Sequence, residues 1–295
     1  MGTEVSQEPL VGRVGDLTPA DVKSALSTIQ EGRIISLDCG RFMGMPQSPV
    51  HPKYQLLTYR TPRGFELEDD LFGDADEVGM SFLTEMMISS LHIGTHLDAL
   101  GHAGCGDEWY GGFQPSKEVG DHGLLRADAS SIPPFITPGV MLDAAAHAGV
   151  EHLPPSTQLD RSDLQAIAEA QGVTIPEKGT VLVRTGAMTE WYDTPKYDEI
   201  STAGPDLDAA KWLVEDFGTV VLGGDTATIE PMPSAVPGHP SPVHEYLLSK
   251  QGVHLLELVW MEELAQEKIY EFCLICLPIK INGATASMVR PIAVI

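Results

Sequence analysis

Residues 92–102 read HIGTHLDALGH, three histidines and an aspartate within eleven positions, in a chain that holds only 10 histidines among 295 residues. A helix would set Asp98 off the face shared by His92 and His96, and two glycines would weaken it. Extended chain suits the stretch better. His92, His96, Asp98 and His102 share even parity and project to one side, while Leu91, Ile93 and Leu97 pack on the other. Gly94 and Gly101 permit bends or the close approach of another group. A strand running into a turn would make the four polar side chains converge, so the rest of the chain must supply a sheet for that strand.

Two imidazoles and a carboxylate suit Zn²⁺, Mn²⁺ or Fe²⁺, whereas Ca²⁺ and Mg²⁺ prefer oxygen shells. Four such groups left without partners on one buried face would be costly, so the cluster reads as a metal site. Closed structural zinc sites usually use cysteine, and Cys105 is the only one nearby. A catalytic ion with open positions is therefore expected.

Outward from this stretch, apolar runs bounded by Gly, Asp or Pro predict strands over 33–39, 86–93, 139–145, 180–187, 219–226, 254–260 and 272–281. Helices are predicted between them. One starts at Thr18 as N-cap with Pro19 following and stops at Gly32. Others cover 160–172, 206–218 and 243–252, each closing on glycine. This alternation predicts an α/β fold on a mixed β-sheet, with an N-terminal helical segment over 1–32 and one domain over 33–295. Long Pro-rich loops at 41–66, 103–138 and 229–242 are expected to carry function or subunit contacts.

Composition narrows the function. With 42 acidic against 18 basic residues the net charge is −24, which argues against nucleic-acid binding. No apolar run is long enough to span a membrane, and the polar N-terminus lacks the features of a secretory signal. MGTEVS fits the loose myristoylation pattern, which is too short to weigh much. Cys273 and Cys276 lie on a strand, where residues three apart face opposite ways, so they read as core thiols. A reducing cytoplasm is expected.

The HxGTHxDxxxH pattern of His92 to His102 resembles the signature of the metal-dependent cyclase family, which includes bacterial kynurenine formamidase and isatin hydrolase. LVRTGA (182–187), GGDTATIEPMP (223–233), HEYLLSKQGVHLLEL (244–258) and the closing LPIKINGATASMVRPIAVI (277–295) look like family blocks in the same order. The resemblance covers residues from about 33 onward. It implies a swivelling β/β/α fold, a homodimer or homotetramer, and one or two Mn²⁺ or Zn²⁺ ions. It places His92, His96 and Asp98 as ligands. His102 stands beside them as a proton-transfer group or the ligand of a second ion. His244 and Glu257 match the C-terminal His and Glu that complete the site, with Glu257 either a ligand or a catalytic group; their spacing of thirteen is one longer than the family's. His239, and more weakly His254, compete for the place given to His244. Extra length at 103–138 and 188–217 falls where a substrate pocket would form.

The chemistry implied is hydrolysis of an amide, lactam or lactone in a small, aromatic or cyclic substrate. A divalent ion can polarise the carbonyl and lower the pKa of water from about 15.7 toward ~7. A neighbouring imidazole such as His102 can take that proton and return it to the leaving atom. Trp109, Tyr110 and Phe113 are read either as lining an aromatic pocket or as plain packing. Asp225 and Glu230 are read as helix caps or loop residues, or as supports for metal-bound histidine. Two other functions fit the cluster: a non-haem Fe(II) oxygenase built on His96-x-Asp98, and a metal-binding relative without activity.

Overall fold

Side-chain alternation along nine strands builds the central sheet. In chain order these are β1 (Ile34–Ser36), β2 (His96–Asp98), β3 (Phe135–Asp143), β4 (Thr180–Arg184), β5 (Val221–Gly224), β6 (His254–Glu257), β7 (Glu271–Cys276), β8 (Ala286–Met288) and β9 (Ile292–Val294). The computed structural model describes residues 8–67 and 78–295. The MGTEVS stretch lies outside them.

The strands run in the order β1-β9-β7-β3-β4-β5-β6-β2-β8. The four central ones, β3 to β6, are parallel, and every other pairing is antiparallel. Parallel neighbours need crossovers, and helices supply them. Arg161–Gln171 (α2) links β3 to β4, Leu207–Phe217 (α3) links β4 to β5, and Pro242–His244 running into the π-helical turns of Glu245–Gln251 links β5 to β6. Pro19–Leu26 (α1) precedes the sheet. The fold is thus α/β on a mixed sheet, as the alternation of elements predicts.

Central strands that carry helices on a face should be apolar on both sides, and these are. Val140, Leu142, Val181, Val183, Leu222 and Leu255 pack with Leu164 and Ile167 of α2 and Leu213 of α3. Met141, Leu182, Val221 and Leu256 point the other way, onto Ile35, Phe272, Val259 and Leu264. The two cysteines of β7 obey the same alternation: Cys273 packs with Ala25 of α1, and Cys276 belongs to the cluster on the opposite face.

The helix ends are set by local chemistry. α1 opens with a capping box between Thr18 and Asp21, and α2 with one between Asp160 and Asp163. α2 and α3 stop at Gly172 and Gly218 in the left-handed conformation. α1 ends at Leu26, short of the expected Gly32, because residues 27–30 leave the helix in turns before Glu31 and Gly32 donate to the Ile295 carbonyl.

One strand departs from expectation. The 86–93 run does not join the main sheet. Thr84–Ile88 instead pairs antiparallel with Gln55–Arg60, inside the region read as loop, in a separate two-stranded ribbon. Among the described residues no helix is long and apolar enough to cross a membrane.

Candidate metal centre

The site forms where β2 meets the end of β6. Register sets Glu257 opposite His96 and Leu256 opposite Leu97. Directly opposed residues in an antiparallel pair share a face. Leu97 and Leu256 therefore pack together in the core, and His96, Asp98 and Glu257 emerge together on the other face. The strand of the opening motif is only three residues long; bends carry the chain before it and a turn follows.

Each bend has a cause. Gly94 takes φ 53°, where a side chain is strained and a Cβ would sit 3.0 Å from the Arg41 chain. Gly101 is a close approach: a Cβ would come within 2.4 Å of Leu124. Between them Thr95, fully buried, donates to the Leu258 carbonyl at 2.6 Å and accepts from the Cys39 amide at 3.0 Å. That hydroxyl ties β2 to the end of β6 and to the segment after β1. Arg41 holds the same turn by donating to the Thr95 carbonyl.

The structure brings together all six residues singled out for the site. Asp98 Oδ1 lies 2.9 Å from His92 Nδ1 and 3.5 Å from His96 Nε2, and Asp98 Oδ2 lies 3.9 Å from His102 Nε2. Glu257 bridges outward, 3.2 Å from His96 Nε2 and 3.3 Å from His244 Nε2. Two groups of donor atoms result, each within 4.8 Å: His92, His96 and Asp98, and then Asp98, His102 and His244. Asp98 belongs to both.

The donor atoms suit a cation. His96 Nε2, both oxygens of Asp98 and Glu257 Oε1 are buried, and none has a hydrogen bond of proper geometry. Orphans of this kind are costly unless something else satisfies them. The outer nitrogens are already committed. His96 Nδ1 donates to the Gly94 carbonyl at 2.8 Å, and His244 Nδ1 donates to Glu230 at 2.5 Å. Each ring therefore keeps its Nε2 facing inward, the nitrogen that a metal would take in place of a proton. His92 does the reverse, with Nε2 on the Thr285 hydroxyl at 2.9 Å and Nδ1 facing Asp98.

Charge follows the geometry. Burial opposes ionisation of Asp98, but His102 and His92 outweigh it and hold the carboxyl far below the usual range. Burial likewise pulls His244 down, yet Glu230 and Glu257 lift it to about 10. His102 goes the other way: burial, with His92 and His244 adding to it, drops it to about 4 against the pull of Asp98. It is thus a neutral imidazole at ordinary pH, with a nitrogen free to accept a proton.

Glu230 answers both readings of its role. Its carboxylate accepts from the Val243 and His244 amides at 3.0 and 3.1 Å, capping the turn, and also fixes the His244 ring. Asp225 has a different task, accepting from Thr185 N, Thr185 Oγ1 and Gly186 N beside the end of β4. The competitors of His244 lie elsewhere. His239 pairs with Glu245, and His254 spans the Asp98 and Val11 carbonyls.

A cavity of about 690 Å³ opens over the cluster, lined by His51, His92, His96, His102, His244 and Glu257, with Pro46–Val50, Tyr197, Thr202, Ala227 and Met232 forming its walls. The 41–66 loop and the 188–217 segment, the latter through Tyr197, Asp198, Ser201 and Thr202, supply much of the wall, and the 229–242 loop adds Met232 and Ser241. Trp109, Tyr110 and Phe113 do not line it; they pack against the core on the helix side. Within the 188–217 insertion Trp191 is buried and Tyr192 is exposed. Sequence reasoning missed His51, whose ring stacks on His92 with centroids 5.2 Å apart and planes 6° from parallel. Its setting, VHPK, holds no partner at ligand spacing that would have marked it.

A family model described as "Putative cyclase" matches residues 42–231. The rice (Oryza sativa subsp. japonica) protein "Cyclase-like protein 2" is 26% identical over 214 residues, which span 72% of this chain and 65% of that protein. The chain thus covers a little under two thirds of that relative. Among solved structures, one described as a novel cyclase superposes with a TM-score of 0.84 at 24% identity, covering 98% of this chain and 97% of that one. Isatin hydrolase A from Labrenzia aggregata superposes with a TM-score of 0.63 at 23% identity, covering 92% and 97%.

Proposed function

Since this chain belongs to the cyclase family, we propose that it is a divalent-metal-dependent hydrolase acting on an amide, lactam or lactone of a small, aromatic or cyclic substrate. The observation that carries this reading is the set of orphaned donor atoms on His96, Asp98 and Glu257, converging beneath an open cavity beside a neutral His102. His92, His96 and Asp98 would hold one ion, of the Mn²⁺ or Zn²⁺ class; Asp98, His102 and His244 offer a place for a second. An ion so held supplies a Lewis acid for the carbonyl and acidifies water.

The chain's own residues do the rest. Asp98, ionised and buried, balances cationic charge at the centre. Glu230 and the Gly94 carbonyl hold the two rings with Nε2 facing inward. With only the first ion bound, His102 Nε2 is free to receive the proton of the attacking water and return it to the leaving nitrogen or oxygen, and Glu257 lies within reach of the same space. The superposed isatin hydrolase A takes its name from isatin, which is a cyclic amide, and that supports the substrate class without identifying the substrate.

The Fe(II) oxygenase alternative would expect an all-β double sheet, whereas this site rests on a mixed sheet with a parallel centre. The reading includes a cytoplasmic location and assembly into a homodimer or homotetramer. The exposed apolar ribbon at 55–60 and 84–88 supports the assembly. The first test is metal content per chain by elemental mass spectrometry, beside an Asp98→Ala variant. One or two Mn or Zn per wild-type chain, lost in the variant, supports the reading. No metal in either protein after incubation with Zn²⁺ or Mn²⁺ overturns it. Hydrolysis would then be followed across formamides, cyclic amides and lactones with the bound ion restored.

A further inference from the structure

A second, softer group of donors stands outside this centre. Cys105, His239 and Glu245 place one ligand atom each within 4.8 Å of the others. Cys105 Sγ lies 3.8 Å from His239 Nε2, and the same nitrogen contacts a Glu245 oxygen. Three separate segments contribute: the turn after His102, the loop 233–241, and the residue following His244. None of the three faces the cavity over the first centre. Cys105 is exposed and edges an open surface depression, so a hydrated cation reaches it from solvent.

We propose that Cys105, His239 and Glu245 form a separate site for a thiophilic divalent cation of the Zn²⁺ class, which clamps the 233–241 loop to the turn carrying His102. A tetrahedral ion holds sulfur at about 2.3 Å and nitrogen at ~2.0–2.1 Å, which places those two atoms roughly 3.6 Å apart. The separation found, 3.8 Å, needs almost no adjustment. Nitrogen and carboxylate oxygen on the same ion stand roughly 3.4 Å apart, so Glu245 backs away slightly as the proton between it and His239 is displaced. The thiol gives up its own proton on binding, and water completes the shell. One thiolate, one imidazole and one carboxylate select a borderline-soft ion over Mg²⁺ or Ca²⁺. Loading also bears on the first centre, because Glu245 follows His244 directly and Cys105 lies three residues beyond His102.

The experiment is a titration of the reduced, full-length protein with Co²⁺, watching for the thiolate-to-cobalt charge-transfer band. The band should appear in the wild type, persist in Asp98→Ala, and vanish in Cys105→Ser and His239→Ala. Bound cobalt should fall by one ion per chain in the last two variants. Cys105 is exposed, so its substitution leaves the core intact, and circular dichroism checks this. No band in the wild type, or a band that survives Cys105→Ser, overturns the site. A band lost in Asp98→Ala also overturns it, because the thiol would then depend on the first centre. In the Asp98→Ala background, Zn²⁺ should slow amide exchange across 234–241, and unchanged exchange there would remove the clamp. None of these readouts uses hydrolysis, so they stand or fall apart from the proposed activity.

Discussion

At the scale of single residues, the site separates holding from acting. His102 sits at 3.9 Å from Asp98 and is pushed down to about 4, while its neighbours are arranged to keep a cation. His102→Ala should therefore retain most bound metal and lose about 10²–10⁴-fold in kcat, the usual contribution of a positioned acid–base group. Elemental analysis beside steady-state kinetics separates these effects, and equal loss of metal would make His102 a ligand. Thr95 offers a second case. Replacing it with valine removes the hydroxyl that accepts from the Cys39 amide and donates to the Leu258 carbonyl in the core. The expected cost is about 1–3 kcal/mol, read from urea denaturation midpoints.

At the scale of elements, the turn at 242–244 decides how His244 is presented. Glu230 caps it and grips the ring at once. Glu230→Ala should weaken metal binding by about 10–100-fold, the usual effect of removing a group that orients a ligating histidine. Competition with a chelator gives the measurement, and unchanged affinity would reduce Glu230 to a cap. The same turn gives a pH dependence. After chelation, His244 carries a folded pKa near 10 against 6.5 unfolded, so its stabilisation is full below about pH 6.5 and is lost as pH rises toward 10. Denaturation of chelated protein from pH 7 to 10 should show falling stability, and added Zn²⁺ or Mn²⁺ should oppose the fall by taking the place of the proton.

Much of this architecture was legible because period-two alternation is strong. The parity of His92, His96, Asp98 and His102 predicted one polar face, and register with Glu257 completed it across the sheet. What lay hidden was any fact depending on a partner distant in sequence. Glu230 meets His244 through a helix cap, Thr95 meets Leu258 across the sheet, and His51 arrives from a loop without periodicity. The 86–93 run misled for another reason: its methionines and isoleucine signal burial, yet in the single chain they stand exposed on the ribbon.

At the scale of the whole molecule, that ribbon needs a cover. Leu57 pairs with Met86, and both are more than 40% exposed, as are Leu56, Met87 and Ile88. An isolated two-stranded ribbon is marginal in water, and apolar patches of this kind mark contact surfaces. Replacing Leu57 and Met86 together with aspartate should convert the assembled protein to monomer in analytical ultracentrifugation. A monomeric wild type would dispose of the homo-oligomer proposal. Bound metal should also stabilise the whole fold by mass action, by about 2.7 kcal/mol at a hundredfold excess over Kd.

The order of strands in the sheet carries one more consequence, for folding. β2 comes early in the chain but takes its place near the far edge, between β6 and β8, which both lie close to the C-terminal end of the sequence. The HIGTHLDALGH segment must therefore wait for the C-terminal third of the chain before it can pair. Non-local pairing of this kind pays its loop-closure entropy before any contact rewards it, and slows folding. A chain still emerging from the ribosome would carry three of its histidines without the Glu257 and His244 that complete their surroundings. Metal capture would then be a late event, and the uptake of an ion would report that the last strands had closed.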